Sequence, residues 1–305
     1  MKIQAISPQA SAYLEKALDA LEQNFLRRDQ INWQDIRIGT RERAKDAITF
    51  KDTYSAIRWA FTQLLETHSF FLEPRQAQVI RAPETQPIPS SRQLGKIGYV
   101  FLPSHGSDGK LSDTQTYQDV VQESIKKLDQ SGVCGWIVDL SDNDGGNMYP
   151  MIAGVGALLG EGTLGVFVGA DKKPLVSWSY QAGASKIGDN VLTQVEKPYQ
   201  PRQVNAPVAV LISAITASSG EATAMSFIGR PNTRFFGQTT AGFTTGNTEF
   251  PLEDGAMLVI TTSEMADRTG KTHPKIMPDQ VTSSFAVNDE NHEVLQWLHS
   301  QSACQ

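Results

Sequence analysis

Apolar residues recur at helical spacing near the start of the chain. Leu14, Ala17, Leu18, Leu21 and Phe25 follow Ser7-Pro8, which reads as an N-cap with proline at the first helical position. An amphipathic helix is predicted there. A second periodic run begins at Thr53, carries Tyr54, Ile57, Phe61, Leu64 and Leu65 on one side, and ends at Thr67-His68-Ser69 before Phe70-Phe71-Leu72-Glu73-Pro74. Residues 1–82 are thus expected to form a small helical domain. Pro83, Pro87 and Pro89, with Ser90 and Ser91, make a proline-rich polar stretch that suits a linker over 83–96.

From residue 97 the pattern changes to strand alternating with helix. Ile97–Leu102 and Trp136–Leu140 read as strands flanking a helix over Thr114–Gln130, with Tyr117, Val120, Val121, Ile125 and Leu128 at helical spacing. Met148–Leu159 is apolar almost all round, as a buried helix would be. Strands at Gly165–Val168, Pro207–Ile212 and Thr233–Phe236, with a helix from Ser219 to Ile228, continue the alternation. The expected class is α/β, with residues 97–305 forming a largely parallel sheet covered by helices. Phe250–Leu252 and Met257–Thr262, separated by Glu253-Asp254-Gly255, predict a hairpin, and Asp289–His299 a closing helix. No internal repeat is visible.

Composition narrows the function classes. Among 305 residues, 27 basic against 33 acidic side chains give a formal charge of −6, which disfavours a nucleic-acid partner. Hydrophobic residues at 40% exclude a disordered chain. Apolar runs such as Ala206–Ile212 fall far short of the ~20 residues of a membrane span, so no membrane partner is expected. Met1–Asn24 lacks a continuous apolar segment of the secretory kind, and the expected location is the cytoplasm. Cys134 and Cys304 have no metal-ligand or CxxC spacing and read as reduced thiols; neither metal nor cofactor is expected.

Three segments can carry chemistry. Ala217-Ser218-Ser219-Gly220-Glu221 follows a buried strand and opens a helix, where unpaired amides and the helix dipole favour the anion formed when a serine attacks a carbonyl. The alternative is a serine that only caps the helix. Asp139-Leu140-Ser141-Asp142-Asn143-Asp144-Gly145-Gly146-Asn147 runs from a strand through paired glycines, so the Gly145 or Gly146 amide can supply a second oxyanion donor. A plain left-handed turn or a phosphate nest fits the same residues. His68, where the second helical run ends, is a candidate base; a partner for the helix dipole is the alternative.

In this order the segments resemble the tail-specific (C-terminal processing) serine peptidase family, in its tricorn-like and interphotoreceptor retinoid-binding-protein-like branch. The resemblance runs from about His68 to Asp279. It rests on Thr67-His68-Ser69-Phe70, Ile97-Gly98-Tyr99-Val100, Gly135-Trp136-Ile137-Val138-Asp139-Leu140 with the Asn143–Asn147 turn, Thr216-Ala217-Ser218-Ser219-Gly220-Glu221, Gly255-Ala256-Met257 and Pro278-Asp279. What it implies is a peptidase core of the crotonase/Clp type acting on a peptide or unfolded protein. By the same matching Ser218 is the nucleophile, Ser219 and Gly145 or Gly146 give oxyanion amides, and His68 is the general base. The family's other branch uses a lysine about two dozen residues after the nucleophile. Here Thr240-Ala241-Gly242-Phe243-Thr244-Thr245-Gly246 holds none, which favours the histidine.

The acidic orienter of the tricorn branch falls near Thr272 or His273 and finds no match; Glu264, then Glu249 or Asp267, are the candidates for it. Ser141 replaces the arginine usual before the glycine loop, and the stretch from His68 to Ile97 is too short for a PDZ domain. Two competing readings remain for the core, a crotonase-like coenzyme A enzyme and a non-catalytic binder of peptides or apolar ligands. Oligomeric state is not legible.

Overall fold

A computed structural model of the chain describes residues 5–81, 86–106, 108–112, 114–282 and 284–305. The chain opens with α1 (Pro8–Asn24), α2 (Trp33–Arg43), α3 (Tyr54–Thr62), β1 (Phe70–Leu72) and α4 (Pro74–Arg81). The alternating region runs β2 (Ser90–Leu94), β3 (Ile97–Phe101), α5 (Tyr117–Gln130), β4 (Gly135–Asp139), α6 (Met148–Leu159) and β5 (Gly162–Val168). Then come β6 (Pro174–Gln181), β7 (Ala184–Ile187), β8 (Asn190–Gln194), β9 (Val208–Ile212), α7 (Ser219–Met225) and β10 (Thr233–Gly237). The chain closes with β11 (Thr245–Pro251), β12 (Met257–Asp267), β13 (Gln280–Val281) and α8 (Glu293–Ser300). Two compact units result. The first joins the N-terminal residues to Gly169–Lys173 and Thr245–Glu264, and the second holds the rest.

In the first unit Ser7 caps α1 as its sequence predicts, accepting the Ala10 N–H at 3.1 Å. Leu14, Ala17, Leu18 and Leu21 of α1 share a core with Ile57, Ala60 and Phe61 of α3 and with Leu258 and Ile260 of β12. The helices do not stand alone: their apolar stripes need a second layer, and β11 and β1, both antiparallel to β12, supply it. The hydroxyls of Tyr13 and Tyr54 both donate to Asp254 in the β11–β12 turn. The hairpin therefore forms as predicted but starts earlier, at Thr245. Helix α2 is not predicted by the periodicity, since it buries only Ile36 and Thr40.

In the second unit the strand order is β13-β10-β9-β4-β3-β2. Strands β10, β9, β4 and β3 pair in parallel, and β2 closes the edge antiparallel to β3. Every residue of β4 and β9 is buried, as expected of strands covered on both faces. Trp136, Val138, Val208 and Val210 pack with α5 and α6, while Ile137, Ala209 and Leu211 pack with Val294, Leu295 and Leu298 of α8. The predicted parallel α/β sheet is thus found, except that the strand expected at Gly165–Val168 is β5, which pairs antiparallel with β6 outside this sheet.

Three further details differ from the sequence reading. Ser90–Leu94, inside the stretch read as a linker, is the edge strand β2; Pro83 lies outside the described residues. The antiparallel meander β5 to β8 shows only its first strand in the sequence, because its half-exposed strands lack a continuous apolar run. The third is a correction. Cys134 and Cys304, read as reduced thiols, form a disulfide with Cα atoms 5.1 Å apart. They lie 170 residues apart in sequence, and only the docking of α8 against the sheet brings them together, so no spacing signal exists.

Candidate active site

Strands β4 and β9 are parallel neighbours in register, with Asp139 opposite Leu211, so their C-terminal loops emerge side by side. In open α/β sheets this is where ligands are handled. The loop after β9 is tied to the loop after β4: Thr216 Oγ1 donates to the Leu140 carbonyl at 2.8 Å, Ser213 Oγ donates to the Ser141 carbonyl, and Ala217 N–H donates to the Asn143 carbonyl at 3.0 Å. The turn ends at Ser218, whose φ of +50° and ψ of −115° are rare for a residue with a side chain. Such a conformation costs about 1–3 kcal/mol and persists only where surrounding bonds fix it.

Glu221 supplies part of that fixing. It occupies the third position of α7, is fully buried, and accepts the Ser218 N–H at 3.0 Å. It also accepts the Gly242 N–H at 2.9 Å and the Thr240 hydroxyl. Burial raises the pKa of this carboxyl, and the converging donors pull it part of the way back. One side chain thus holds both the serine turn and the Thr240–Phe243 segment.

Asn143 does the corresponding work in the loop after β4. Its Nδ2 donates to the Leu102 carbonyl at 2.9 Å and its Oδ1 accepts the Gly145 N–H at 3.0 Å. Gly145 (φ +117°) and Gly146 (φ +109°) are left-handed. A Cβ on Gly145 would lie 3.0 Å from Ser218 Cβ and 3.4 Å from Ser219 N; one on Gly146 would lie 2.3 Å from the His105 carbonyl oxygen. Glycine is required at both positions for close approach. The Ser219 hydroxyl donates to the Gly146 carbonyl at 2.6 Å. The Gly145 amide is spent on Asn143, whereas no acceptor within the chain meets the Gly146 or Ser219 amide among the described residues. Both amides are thus left for an acceptor from outside the chain.

His68 belongs to the first unit. Helix α3 ends at Thr62, six residues earlier, so His68 is not a dipole partner at its terminus. Glu66 anchors the loop by accepting the His68 N–H at 2.8 Å and the Ser69 N–H at 2.9 Å. Asn247 Nδ2 donates to the His68 carbonyl at 2.9 Å, and the ring Nδ1 lies 2.6 Å from Thr245 Oγ1. Desolvation lowers the imidazole pKa, with Glu66 opposing it weakly, which favours the neutral ring that can take up a proton.

Residues 96–282 match the model of peptidase family S41. The chain belongs to that family. It is similar, at 31% identity over 98% of its length and 90% of the relative's, to a nisin-resistance protein of Lactococcus lactis subsp. lactis. A second relative is the carboxy-terminal processing protease CtpA of Bacillus subtilis strain 168, 26% identical over 57% of this chain and 34% of that protein. Among solved structures, a lipoprotein from Streptococcus agalactiae is 29% identical, with a TM-score of 0.68 covering 93% of this chain and 95% of that one. A photosystem II D1 C-terminal processing protease shares the fold at 15% identity, with a TM-score of 0.65 covering 98% and 99%.

This S41 peptidase is thus a serine-type peptidase with peptide or protein substrates, and the resemblance read from its motifs holds at the level of the family. Its described residues between His68 and Ile97 form β1, α4 and β2, without a PDZ domain. Glu264, a candidate orienter, sits opposite Thr245 on β12, and its carboxylate is held by Lys172 Nζ at 2.6 Å. Asp267 binds His273 Nε2 at 2.8 Å and the Thr269 and Lys271 amides, closing a turn of its own. No cluster of three metal-ligating side chains occurs among the described residues.

In the sequence Asn143, Glu221 and Thr245 stand out only as parts of longer stretches, and Asn247 not at all. The Ser-x-x-Glu spacing of a capping box is a signal for Glu221. No local signal marks Thr245, whose partner lies 177 residues away.

Proposed function

We propose that this S41 peptidase cleaves peptide bonds through an acyl-enzyme on Ser218, with His68 as general base. In this reading His68 Nε2 takes the Ser218 hydroxyl proton as Oγ bonds to the peptide carbonyl carbon, and the resulting oxyanion is held by the Ser219 and Gly146 amides. The tetrahedral species then breaks its C–N bond, His68 returns the proton to the leaving amine, and water hydrolyses the ester by the same steps. The single observation that supports it best is the strained Ser218 turn beside two amides that have no acceptor within the chain among the described residues.

Ser218→Ala tests the nucleophile. The variant is expected to lose labelling by a fluorophosphonate probe and to fall by about 10³-fold or more in peptide cleavage. Full turnover by that variant would refute the assignment. The relationship to a nisin-resistance protein makes nisin the first peptide to try, with cleavage fragments read by mass spectrometry. For the compartment, we propose an oxidising one in place of the cytoplasm expected from the N-terminal pattern. The Cys134–Cys304 disulfide supports that choice, because such bonds persist where thiols are not kept reduced. Recovery of both cysteines as free thiols from intact cells, trapped by alkylation, would overturn it.

A further inference from the structure

We infer that Thr245 is the positioning residue for His68, a neutral hydroxyl standing where a Ser-His-Asp triad places a carboxylate. The inference rests on His68 being the base, as proposed above. Thr245 Oγ1 lies 2.6 Å from the ring Nδ1, the nitrogen that a triad's acid engages. The hydroxyl can accept from Nδ1–H, and in that tautomer Nε2 carries the lone pair that proton abstraction requires.

Strand β11 is built to hold this contact. Thr245 and Asn247 are two residues apart on it. Both reach the same residue: Thr245 meets the His68 ring, and Asn247 Nδ2 donates to the His68 carbonyl at 2.9 Å. Asn247 is itself fixed by Thr261 Oγ1, which donates to its Oδ1 at 3.0 Å, and the Thr261 N–H donates to Ser69 Oγ at 2.9 Å. A register shift falls between Gly246 and Asn247, where Gly246 pairs with Ser263 and Asn247 with Thr261.

The carboxylates nearest in sequence or register are engaged elsewhere. Glu66 accepts the His68 and Ser69 amides with its two oxygens, and Glu264 is bound by Lys172. A hydroxyl fixes the ring's orientation but does not stabilise the imidazolium as an anion would, so Thr245 supplies geometry without charge.

The test compares Thr245→Val, Thr245→Ser and His68→Ala in the full-length protein, on a peptide the wild type cleaves. Valine keeps the branched shape and removes the acceptor. Its kcat is expected to fall by about 10–10²-fold with KM within about twofold, and serine to recover most of the loss. Thermal melting checks that each variant folds, and Thr245→Ala takes the place of valine if valine disturbs the strand. A valine or alanine variant with wild-type kcat, or a serine variant as impaired as valine, overturns the inference. His68→Ala separates the two levels: if it is inactive while Thr245→Val is not, only the positioning role fails, and if it turns over fully the base assignment fails with it.

Discussion

At the scale of single residues, the site depends on side chains that hold backbone in place. Ser218 sits in a conformation costing about 1–3 kcal/mol, and Glu221 accepts its amide from a buried position. Replacing an acceptor that serves several buried donors leaves each of them unsatisfied, which makes Glu221 a structural support of the Ser218 turn as much as a helix cap. His68 shows what burial does to a titrating group. Its pKa is lowered below the usual value of about 6.5, with the Glu66 carboxylate working weakly in the other direction. With His68 as the base proposed above, the neutral ring is the form that accepts the proton, so the loss of activity in acid should fall at lower pH than for an ordinary histidine. A pH profile of kcat/KM is expected to show its acidic limb below pH 6.5; a limb centred at or above that value would contradict a desolvated base.

At the scale of elements, the parallel pairing of β4 and β9 brings the glycine loop against the serine turn, since loops leaving the same ends of adjacent strands are neighbours by construction. Contact at Gly145 is close enough that one methyl group matters. In Gly145→Ala the new Cβ would lie 3.0 Å from Ser218 Cβ and 3.1 Å from the Ala217 carbonyl, in a backbone conformation with φ of +117°. We expect kcat to fall by about 10²-fold and stability by about 1–3 kcal/mol, read by peptide cleavage and thermal melting. Unchanged kcat would mean that the loop does not set the geometry around Ser218. The motifs on these two loops were legible in the sequence because strand, turn residue and helix are consecutive there. The parts contributed by β11 were not, because Thr245 and Asn247 sit on a polar strand with no catalytic spacing.

At the scale of the whole molecule, the second unit carries its own covalent tie. The Cys134–Cys304 disulfide joins the start of β4 to the segment following α8 and closes a loop of 170 residues. Cross-links across long loops stabilise by about 2–5 kcal/mol, largely through the unfolded chain. The double variant Cys134→Ser, Cys304→Ser is expected to melt several degrees lower than the oxidised protein, and a reductant should lower the wild type by a similar amount. Equal melting temperatures with and without reductant would show that the bond contributes nothing to stability. Unit composition also departs from chain order: Thr245–Glu264, late in the sequence, clusters with the N-terminal helices, and it carries the side chains that hold His68.

The order of strands and helices in the second unit, the capped first helix, the buried helix α6, and the loops bearing Ser218, Gly145 and Gly146 follow from local pattern alone. There the information is hydrophobic periodicity and turn chemistry, which neighbouring residues encode. The disulfide, the edge strand β2, the anchoring of His68 by Thr245 and Asn247, and the choice of the Gly146 over the Gly145 amide as the unspent donor were decided by tertiary structure. Each depends on groups far apart in the chain, or on which of two adjacent amides already has an acceptor, and only the folded backbone specifies those distances.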